Sequence, residues 1–229
     1  MDNVLFFDTG PIISLVLSRL SWLLPELKKQ FGGKFYITPA VQLELVERPL
    51  QIRRFSLEAL QVAELIRKGV LEVYSSVPKA KVEQFQKLAN TSYEVNHKML
   101  DIIQLGEMQS VTCAKELNAA VVMDERTLRL FIENSAELEL LLERRFGGNV
   151  IPQKKNITPF QKQFQGMAII RSIELVSIAY KLGLLNSYLP DMKNGKEIVI
   201  NSVLWATKYN GCAVTEHEID EIKKFLLKK

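Results

Sequence analysis

Four acidic residues have side chains and positions that could together hold a metal ion. They are Asp8, Glu44, Glu107 and Asp124, and each lies at a predicted strand end or in the first turns of a predicted helix. Four carboxylates brought close together repel one another, and a hard divalent cation such as Mg²⁺ or Mn²⁺ removes that conflict. Such an ion can activate water and hold a phosphodiester for in-line attack. The chemistry that these residues indicate is metal-dependent hydrolysis.

Each acid also has a structural interpretation that involves no chemistry. Asp8 and Asp124 could each cap the following helix, because an aspartate oxygen accepts hydrogen bonds from free N–H groups there. Glu107 near a helix start would favour the helix dipole, and Glu44 could pair with Arg48 four residues later. Capping does not explain why both of the most hydrophobic strands end in aspartate. That joint arrangement favours a shared site.

The two aspartates end the most hydrophobic runs of the chain, at residues 4–7 and 119–123. Runs without polar alternation are typical of strands buried on both faces of a parallel sheet. Ligands bind beyond the carboxyl ends of such strands, where both aspartates stand. Further strands are predicted at residues 34–38, 70–74 and 149–151, and helices at residues 39–46, 56–68, 79–103, 105–117 and 126–132. This alternation predicts βαβ units and the mostly parallel sheet of an α/β fold.

The chain after residue 152 changes in character and is interpreted as an extension. Between residues 153 and 165, lysines are interleaved with phenylalanines and no acidic residue occurs. Helical patterns follow at residues 168–185, 194–210 and 216–228. We therefore divide the chain into a domain of residues 1–152 and a basic connector with a helical C-terminal extension, residues 153–229.

Composition and cysteine usage are those of an ordinary globular protein. Of the 229 residues, 47% are hydrophobic and 24% charged, and the net charge of +4 permits a polyanionic partner without requiring one. The cysteines, Cys113 and Cys212, form no CxxC pair, which disfavours a zinc site or a disulfide framework and fits a reducing cytosol. No basic residues open the chain as in a signal peptide, and charges interrupt the apolar stretch at 168–185. We expect a cytoplasmic protein without a membrane span.

The motifs around the four acids resemble the PIN domain family. The likeness is carried by FFDTGPIISL, by ITPAVQLELV and by LGEMQSVTCAKELNAAVVMDERTLRLF, which match that family in order and spacing. It covers roughly residues 2–151 and, more loosely, the helices after residue 168. The family comprises metal-dependent ribonucleases, including the VapC-type toxins. The likeness is greatest to its prokaryotic branch with an "LGxGE"-like turn at the third acid, here Leu105-Gly106-Glu107.

The resemblance implies a PIN-like fold of three layers, α/β/α, with a mostly parallel sheet of four or five strands. It implies that the four acids form a tetrad that holds Mg²⁺ or Mn²⁺ and hydrolyses RNA. Thr9 could steady Asp8 or bond a water on the metal, and Glu125 is a candidate helper. The Gly-Thr-Leu-Gly turn of that branch is replaced here by a different segment after the last strand. An antitoxin protein and a second copy of this chain are the partners that the resemblance suggests.

A ribonuclease must also neutralise phosphates near its metal, and basic side chains supply that interaction. The candidates for contact with RNA are Arg48, Arg53, Arg54, Arg126, Arg129, Lys154, Lys155 and Lys162. Phe160 could stack on an exposed base, as aromatic residues do in single-strand binders. The alternative is that the basic residues are solvated surface, and that Phe160 and Phe164, four residues apart, anchor the extension on the core.

Three other functions were weighed against the nuclease. The same fold could serve as a non-catalytic module that binds RNA or protein, and divalent-metal binding would separate these two interpretations. Asp-Thr-Gly is also the aspartic protease motif, but that chemistry needs two such aspartates on an all-β scaffold, and this chain has the motif once. Phosphatases of the haloacid dehalogenase type need a second aspartate two residues after the first, where this chain has Gly10.

Overall fold

A computed structural model describes residues 3–228, with eight strands and a larger number of helices. The strands are β1 Val4–Phe7, β2 Lys34–Ile37, β3 Glu72–Val73, β4 Tyr93–Val95, β5 Lys98–Met99, β6 Ala120–Val122, β7 Val150–Pro152 and β8 Ile169–Ile170. The helices are α1 Thr9–Leu17, α2 Leu23–Phe31, α3 Pro39–Gln42, α4 Arg48–Leu50, α5 Ser56–Arg67, α6 Lys79–Asn90, α7 Leu105–Glu116, α8 Arg126–Glu133, α9 Ser135–Phe146, α10 Lys154–Phe164, α11 Ser172–Lys181, α12 Gly195–Tyr209 and α13 Glu216–Leu227. A π-helical turn, Leu43–Glu47, joins α3 to α4, and a 3₁₀ turn, Leu184–Tyr188, follows α11.

The central sheet has five parallel strands in the order β3-β2-β1-β6-β8. The α/β fold with a mostly parallel sheet is thereby confirmed, and it is not the all-β scaffold that an aspartic protease requires. Strand β1 lies in the middle, with Phe6 paired to Tyr36 on one side and to Val121 on the other. Its side chains are buried on both faces of the sheet, which is why four apolar residues in succession suit this position.

Helices cover both faces of this sheet, because successive side chains of each strand point to opposite sides. Phe7 faces a core shared with α1, α2, α11 and α12, and its ring lies 4.9 Å from that of Phe35. Phe6 faces a second core, built with α6, α7, α8 and α10, in which Phe131 and Phe160 are fully buried. The architecture is therefore consistent with three layers, α/β/α.

A smaller antiparallel sheet, in the order β5-β4-β7, was not predicted. The helix predicted at residues 79–103 ends at Asn90, and the chain then forms a hairpin whose turn residues Asn96 and His97 have φ of 50° and 62°. The strand predicted at 149–151 is present as β7, but it pairs antiparallel with β4 and lies outside the central sheet. Asparagine tolerates the left-handed conformation, which explains a turn at this point.

Residues after the predicted boundary at 152 pack into the same core and the same central sheet as residues before it. Strand β8 pairs with β6 and supplies the fifth strand of the central sheet. Ile173, Val176 and Leu204, from α11 and α12, are buried in the core that contains Phe7. The predicted connector at 153–165 is helix α10, apart from its two ends.

Phe160 does not have the role in base stacking that was predicted for it. It is fully buried, and its ring stacks on that of Phe131 with 4.3 Å between centroids. Phe164, four residues later, is also buried and contacts Phe160. The pair anchors α10 on the core, which is the alternative that the spacing left open.

Between residues 3 and 228, no helix has both the length and the apolar character needed to cross a membrane.

Candidate functional site

A cleft of about 260 Å³ opens where β1 and β6 end, beside the first turns of α1 and α7. It is lined by Asp8, Thr9, Gly10, Glu44, Gln104, Glu107, Asp124, Glu125 and Gly211. The structure therefore brings together the four predicted acids and the two predicted helpers, Thr9 and Glu125, in what we call the acid cleft. The two aspartates are neighbours because Phe7 pairs with Val122 in adjacent strands and the N–H of Asp8 donates to the carbonyl of Val122, at 2.9 Å.

Asp8 carries a buried carboxylate oxygen that has no hydrogen-bond partner among residues 3–228. Its side chain precedes α1, and Oδ2 accepts a long hydrogen bond of 3.5 Å from the N–H of Gly10, while Oδ1 is unpaired. The residue is only 3% exposed. Burial raises the pKa of Asp8 to about 7, against the backbone N–H groups of Thr9 and Gly10, and the charges of Glu44 and Glu125 add to the rise. Helix capping thus accounts for one oxygen of Asp8 and leaves the other unexplained.

Asp124, in contrast, is held by both of its oxygens. Ser172 donates from its N–H to Oδ1 at 2.7 Å and from its hydroxyl to Oδ2 at 2.6 Å. Ser14 donates its hydroxyl to Oδ2 at 2.7 Å. The capping role that was considered for Asp124 belongs to Glu125, whose Oε2 accepts from the N–H of Leu128 at 2.7 Å. Three hydrogen bonds leave about one free acceptor position on the carboxylate of Asp124, on Oδ1.

Ser14 and Ser172 are site residues that the sequence did not reveal. Ser14 is fully buried in the otherwise apolar helix α1. A serine among apolar residues of a buried helix is a signal in the sequence, because its hydroxyl needs a hydrogen-bond partner. Ser172 begins α11 and is also fully buried, but it lies 48 residues from Asp124 in the chain. Nothing local in the sequence connects these two residues.

Glu44 lies in the π-helical turn between α3 and α4 and is oriented by Thr9. The Thr9 hydroxyl donates to Oε2 of Glu44 at 2.6 Å. This hydroxyl therefore steadies the Glu44 carboxylate, whereas the sequence suggested the Asp8 carboxylate as its partner. A Cβ added at Gly106 would lie 2.9 Å from Oε1 of Glu44. The Leu-Gly-Glu motif therefore has a steric reason, since the glycine leaves room for the Glu44 carboxylate. π-Helical turns within helices are frequent at functional sites.

Glu107 is the third acid, and it points into the cleft from the first turn of α7. Its Oε2 accepts a hydrogen bond from the N–H of Gln104 at 3.0 Å, and this bond caps the N-terminus of α7. Burial raises the pKa of Glu107 to about 8, and the charges of Glu125, Asp8 and Glu44 raise it further, against the hydrogen bond from Gln104.

Five carboxylates therefore line the acid cleft, and none of the described residues that line it is basic. Its donors are of the type that Mg²⁺ and Mn²⁺ prefer, and the unpaired Oδ1 of Asp8 is a ready ligand. In the part of the chain that the structure describes, no three acidic, histidine or cysteine side chains stand together as a metal-binding group. The donor set fits a divalent cation by chemistry, with Glu44 and Asp124 held by the hydroxyls of Thr9, Ser14 and Ser172.

The basic residues that were predicted to contact RNA all lie outside the lining of the acid cleft. Arg126 pairs with Glu137 at 2.7 Å, and Arg129 with Glu133 at 3.5 Å. The exposed members of the set are Arg48, Arg53, Arg54, Lys154, Lys155 and Lys162. The first three follow the π-helical turn that carries Glu44, and the lysines are on α10, which packs against α6 and α8.

Comparison with known proteins does not assign the chain to a family. No family model, no curated protein and no solved structure matches it. The likeness to the PIN domain family that the motifs carry stays a hypothesis, and the activity of the acid cleft has to be argued from its own residues.

Proposed function

We propose that the protein is a divalent-metal-dependent endoribonuclease that hydrolyses RNA phosphodiester bonds at the acid cleft. The observation that carries the proposal is the buried Oδ1 of Asp8, which has no hydrogen-bond partner among residues 3–228, in a cleft that those residues line with further carboxylates and with no cationic side chain. An ionised carboxylate buried without a counter-charge costs several kcal/mol. A bound divalent cation would offset that cost, and it explains why the chain tolerates the arrangement.

The residues that would hold the ion are the two aspartates, with the two glutamates beside them. Asp8 offers its unpaired oxygen, and Asp124 offers the remaining acceptor position on Oδ1. When bound, the ion supplies Lewis-acid stabilisation of a phosphoryl oxygen and lowers the pKa of a water molecule. Glu44 and Glu107 complete the negative charge that attracts the ion to the cleft.

The protein groups around the acids have positioning roles in this proposal. Ser14 and Ser172 fix the carboxylate of Asp124, and Thr9 fixes that of Glu44. A phosphate cannot approach five carboxylates without an intervening cation, because no arginine or lysine in the described part of the chain lines the cleft. The proposal therefore predicts an absolute dependence on divalent metal. RNA as the substrate follows from the resemblance, and the exposed arginines next to Glu44 suit a polyanion.

The decisive experiment measures Mn²⁺ binding and RNA cleavage on the same preparations. Wild-type protein should bind Mn²⁺ in a calorimetric titration and cut a fluorescein-labelled single-stranded RNA only when Mn²⁺ or Mg²⁺ is present. Asp8→Asn and Asp124→Asn should lose cleavage by at least a hundredfold with the fold intact. Asp191→Asn, which changes an exposed acid outside the cleft, is the matched control. Absence of Mn²⁺ binding, or cleavage by Asp8→Asn at the wild-type rate, refutes the proposal.

A non-catalytic RNA- or protein-binding module is the second candidate. One observation favours it, since Glu44 and Asp124 already accept hydrogen bonds within the protein and, among residues 3–228, no three-donor group is assembled. Such a module would bind its partner equally well in the presence of a chelator. The calorimetric titration with Mn²⁺ distinguishes the two functions directly.

A further inference from the structure

Helices α11, α12 and α13 each have one end at the acid cleft. Ser172, the first residue of α11, donates to Asp124, and Gly211, just after α12, lines the cleft. Ala213, just before α13, donates its N–H to the carbonyl of Asp124 at 3.4 Å. At about 1.5 Å per residue, α11 is about 15 Å long and α12 about 22 Å. The other ends of the three helices therefore lie well away from the acids.

Those other ends converge on a second cleft, of about 600 Å³, which we call the distal cleft. Its lining includes Lys181 at the end of α11, Lys196 at the start of α12 and Lys228 just after α13. Its lining also includes two aromatic residues, Tyr180 and Phe225, and no carboxylate from residues 3–228. The distal cleft is thus cationic and aromatic, the opposite in charge of the acid cleft.

The charge of the distal cleft is not neutralised by neighbouring acids in the described part of the chain. Lys196 and Lys228 form no ion pair within residues 3–228, whereas the nearby Glu197 and Asp220 both pair with Lys223, at 4.0 and 3.7 Å. Lys181 places its Nζ 4.0 Å from the centroid of the Phe225 ring. Phe225 is 63% exposed, so its ring is accessible to a further planar group.

We propose that the distal cleft is a binding site for single-stranded RNA, separate from the site of cleavage. The lysines would contact successive phosphates, and an unstacked base would lie on the Phe225 ring, the combination by which single strands are bound without sequence preference. This inference rests on the proposed function, because it gives a substrate held at the acid cleft a second attachment on the same helices. Two linked attachments raise the effective concentration of the bound strand at the acids.

The shape of the distal cleft favours a nucleic-acid strand over an anionic membrane. It is a concave space between three helix ends, and its exposed ring lies beside a lysine. A bilayer would touch only the rim of such a space, whereas a base and its phosphate can enter it. A lipid surface is therefore an outcome that the test has to reject.

The test measures binding of a fluorescein-labelled U12 oligonucleotide by anisotropy in EDTA, so that cleavage plays no part. The double variant Lys181→Ala/Lys196→Ala should weaken binding at least tenfold and lower the slope of log K against log salt by about 0.7 for each lysine. Phe225→Ala should weaken binding severalfold with the salt slope unchanged, because it removes stacking and no charge. Lys79→Ala/Lys87→Ala, which removes two exposed charges from α6, is the matched control and should bind as wild type does.

Equal affinity of the distal-cleft variant and the α6 control would overturn the proposal. Binding of the wild type to phosphatidylserine vesicles, with none to U12, would overturn it in favour of a membrane. Cleavage assays with Mn²⁺ then separate it from the proposed function. U12 binding that depends on the distal cleft, in a protein that cuts no RNA, supports this site and refutes the nuclease. Cleavage of a long RNA with an unchanged KM in the distal-cleft variant supports the nuclease and refutes this site.

Discussion

Ser172 donates two hydrogen bonds to the carboxylate of Asp124, one from its N–H at 2.7 Å and one from its hydroxyl at 2.6 Å. This relationship ties the first turn of α11 to the end of β6. It shows that the chain beyond residue 152 forms part of the acid cleft and is more than an attachment to it. The position of Asp124 therefore depends on a segment that the sequence placed in a separate extension.

Replacing Ser172 by alanine should make the Asp124 carboxylate less firmly positioned without creating a large cavity in the core. The change removes a hydrogen bond to a charged group, so we expect the free energy of unfolding to fall by about 1 to 2 kcal/mol. If the acid cleft binds metal, Mn²⁺ affinity should fall by about tenfold or more, because groups that orient a ligand are typically worth 10- to 100-fold in affinity. Urea unfolding and calorimetry measure the two effects.

Ser177→Ala is the control for that measurement. Ser177 lies on the same helix, and its hydroxyl donates only to the carbonyl of Ile173, at 2.7 Å. Its replacement should leave Mn²⁺ affinity unchanged. Equal Mn²⁺ affinity in the two serine variants would show that Ser172 does not position a metal ligand.

Asp8 should destabilise the metal-free protein as the pH rises. The pKa of Asp8 is about 7 in the folded protein and about 3.8 in the unfolded chain, so between these two pH values the folded state holds a proton that the unfolded state has lost. Stability must then fall as the pH rises from about 4 to 7, and Glu107, with a pKa of about 8, extends the fall. A carboxyl group with a lowered pKa stabilises the folded protein as the pH rises, whereas Asp8 and Glu107, with raised pKa values, destabilise it.

Asp8→Asn removes the ionisation of Asp8 and should stabilise the metal-free protein at pH 8 by on the order of 4 kcal/mol, with little effect at pH 4. Added Mn²⁺ should reverse the order, because it stabilises only the protein that binds it. Urea unfolding with and without EDTA measures both, with Asp191→Asn as the reference. A variant no more stable than wild type at pH 8 would show that Asp8 is not under electrostatic strain.

The positions of the aspartates at strand ends, and the parallel sheet itself, could be predicted from the sequence because both depend on local patterns. Asp8 and Asp124 end apolar runs, and such runs are typical of central parallel strands whatever the rest of the chain does. The partner of Asp124 could not be predicted, since Ser172 follows a strand of two residues, Ile169–Ile170, which is too short to show a period.

Phe160 shows a different limit of sequence analysis. Interleaved lysines and phenylalanines are compatible both with a surface patch that binds single-stranded RNA and with an amphipathic helix. The stacking of Phe160 on Phe131 inside the core decides in favour of the helix. The distal cleft illustrates the converse case, because Lys181, Lys196 and Phe225 lie on three helices and are brought together only by the fold. Residues far apart in the chain form a pattern only once the helices are packed.

Gly106→Ala should separate the fold from the function of the acid cleft. The added Cβ would lie 2.9 Å from Oε1 of Glu44, the mobile end of a side chain, so the carboxylate should move away. Alanine also favours a helix over glycine by about 0.5 to 1 kcal/mol, so the free energy of unfolding should change by less than about 1 kcal/mol. Under the proposed function, RNA cleavage should fall by at least tenfold.

Gly148→Ala provides the matched control for that variant. A Cβ at Gly148 would meet its nearest neighbour, Cγ1 of Val95, at 3.8 Å, which is an ordinary contact. Both its stability and its cleavage rate should equal those of wild type. A Gly106→Ala protein that cuts RNA at the wild-type rate would show that the position of Glu44 is not needed.

Glu218 should stabilise the protein at neutral pH and cease to do so in acid. Partial burial would raise its pKa, but hydrogen bonds from Thr215 and from the Arg171 guanidinium at 2.8 Å lower it to about 2. A carboxylate with a lowered pKa contributes stability above its unfolded pKa, and that contribution is lost as the pH falls from about 4.5 to 2. Because Glu218 is part-exposed, we expect Glu218→Gln to cost only about 0.5 to 1 kcal/mol at pH 7.

Urea unfolding at pH 7 and pH 2.5 should show the difference in stability between Glu218→Gln and wild type shrinking towards zero. Glu221→Gln, whose carboxylate is more exposed, is the control. A penalty for Glu218→Gln that is the same at both pH values would mean that its charge does not stabilise the junction of α11 and α13.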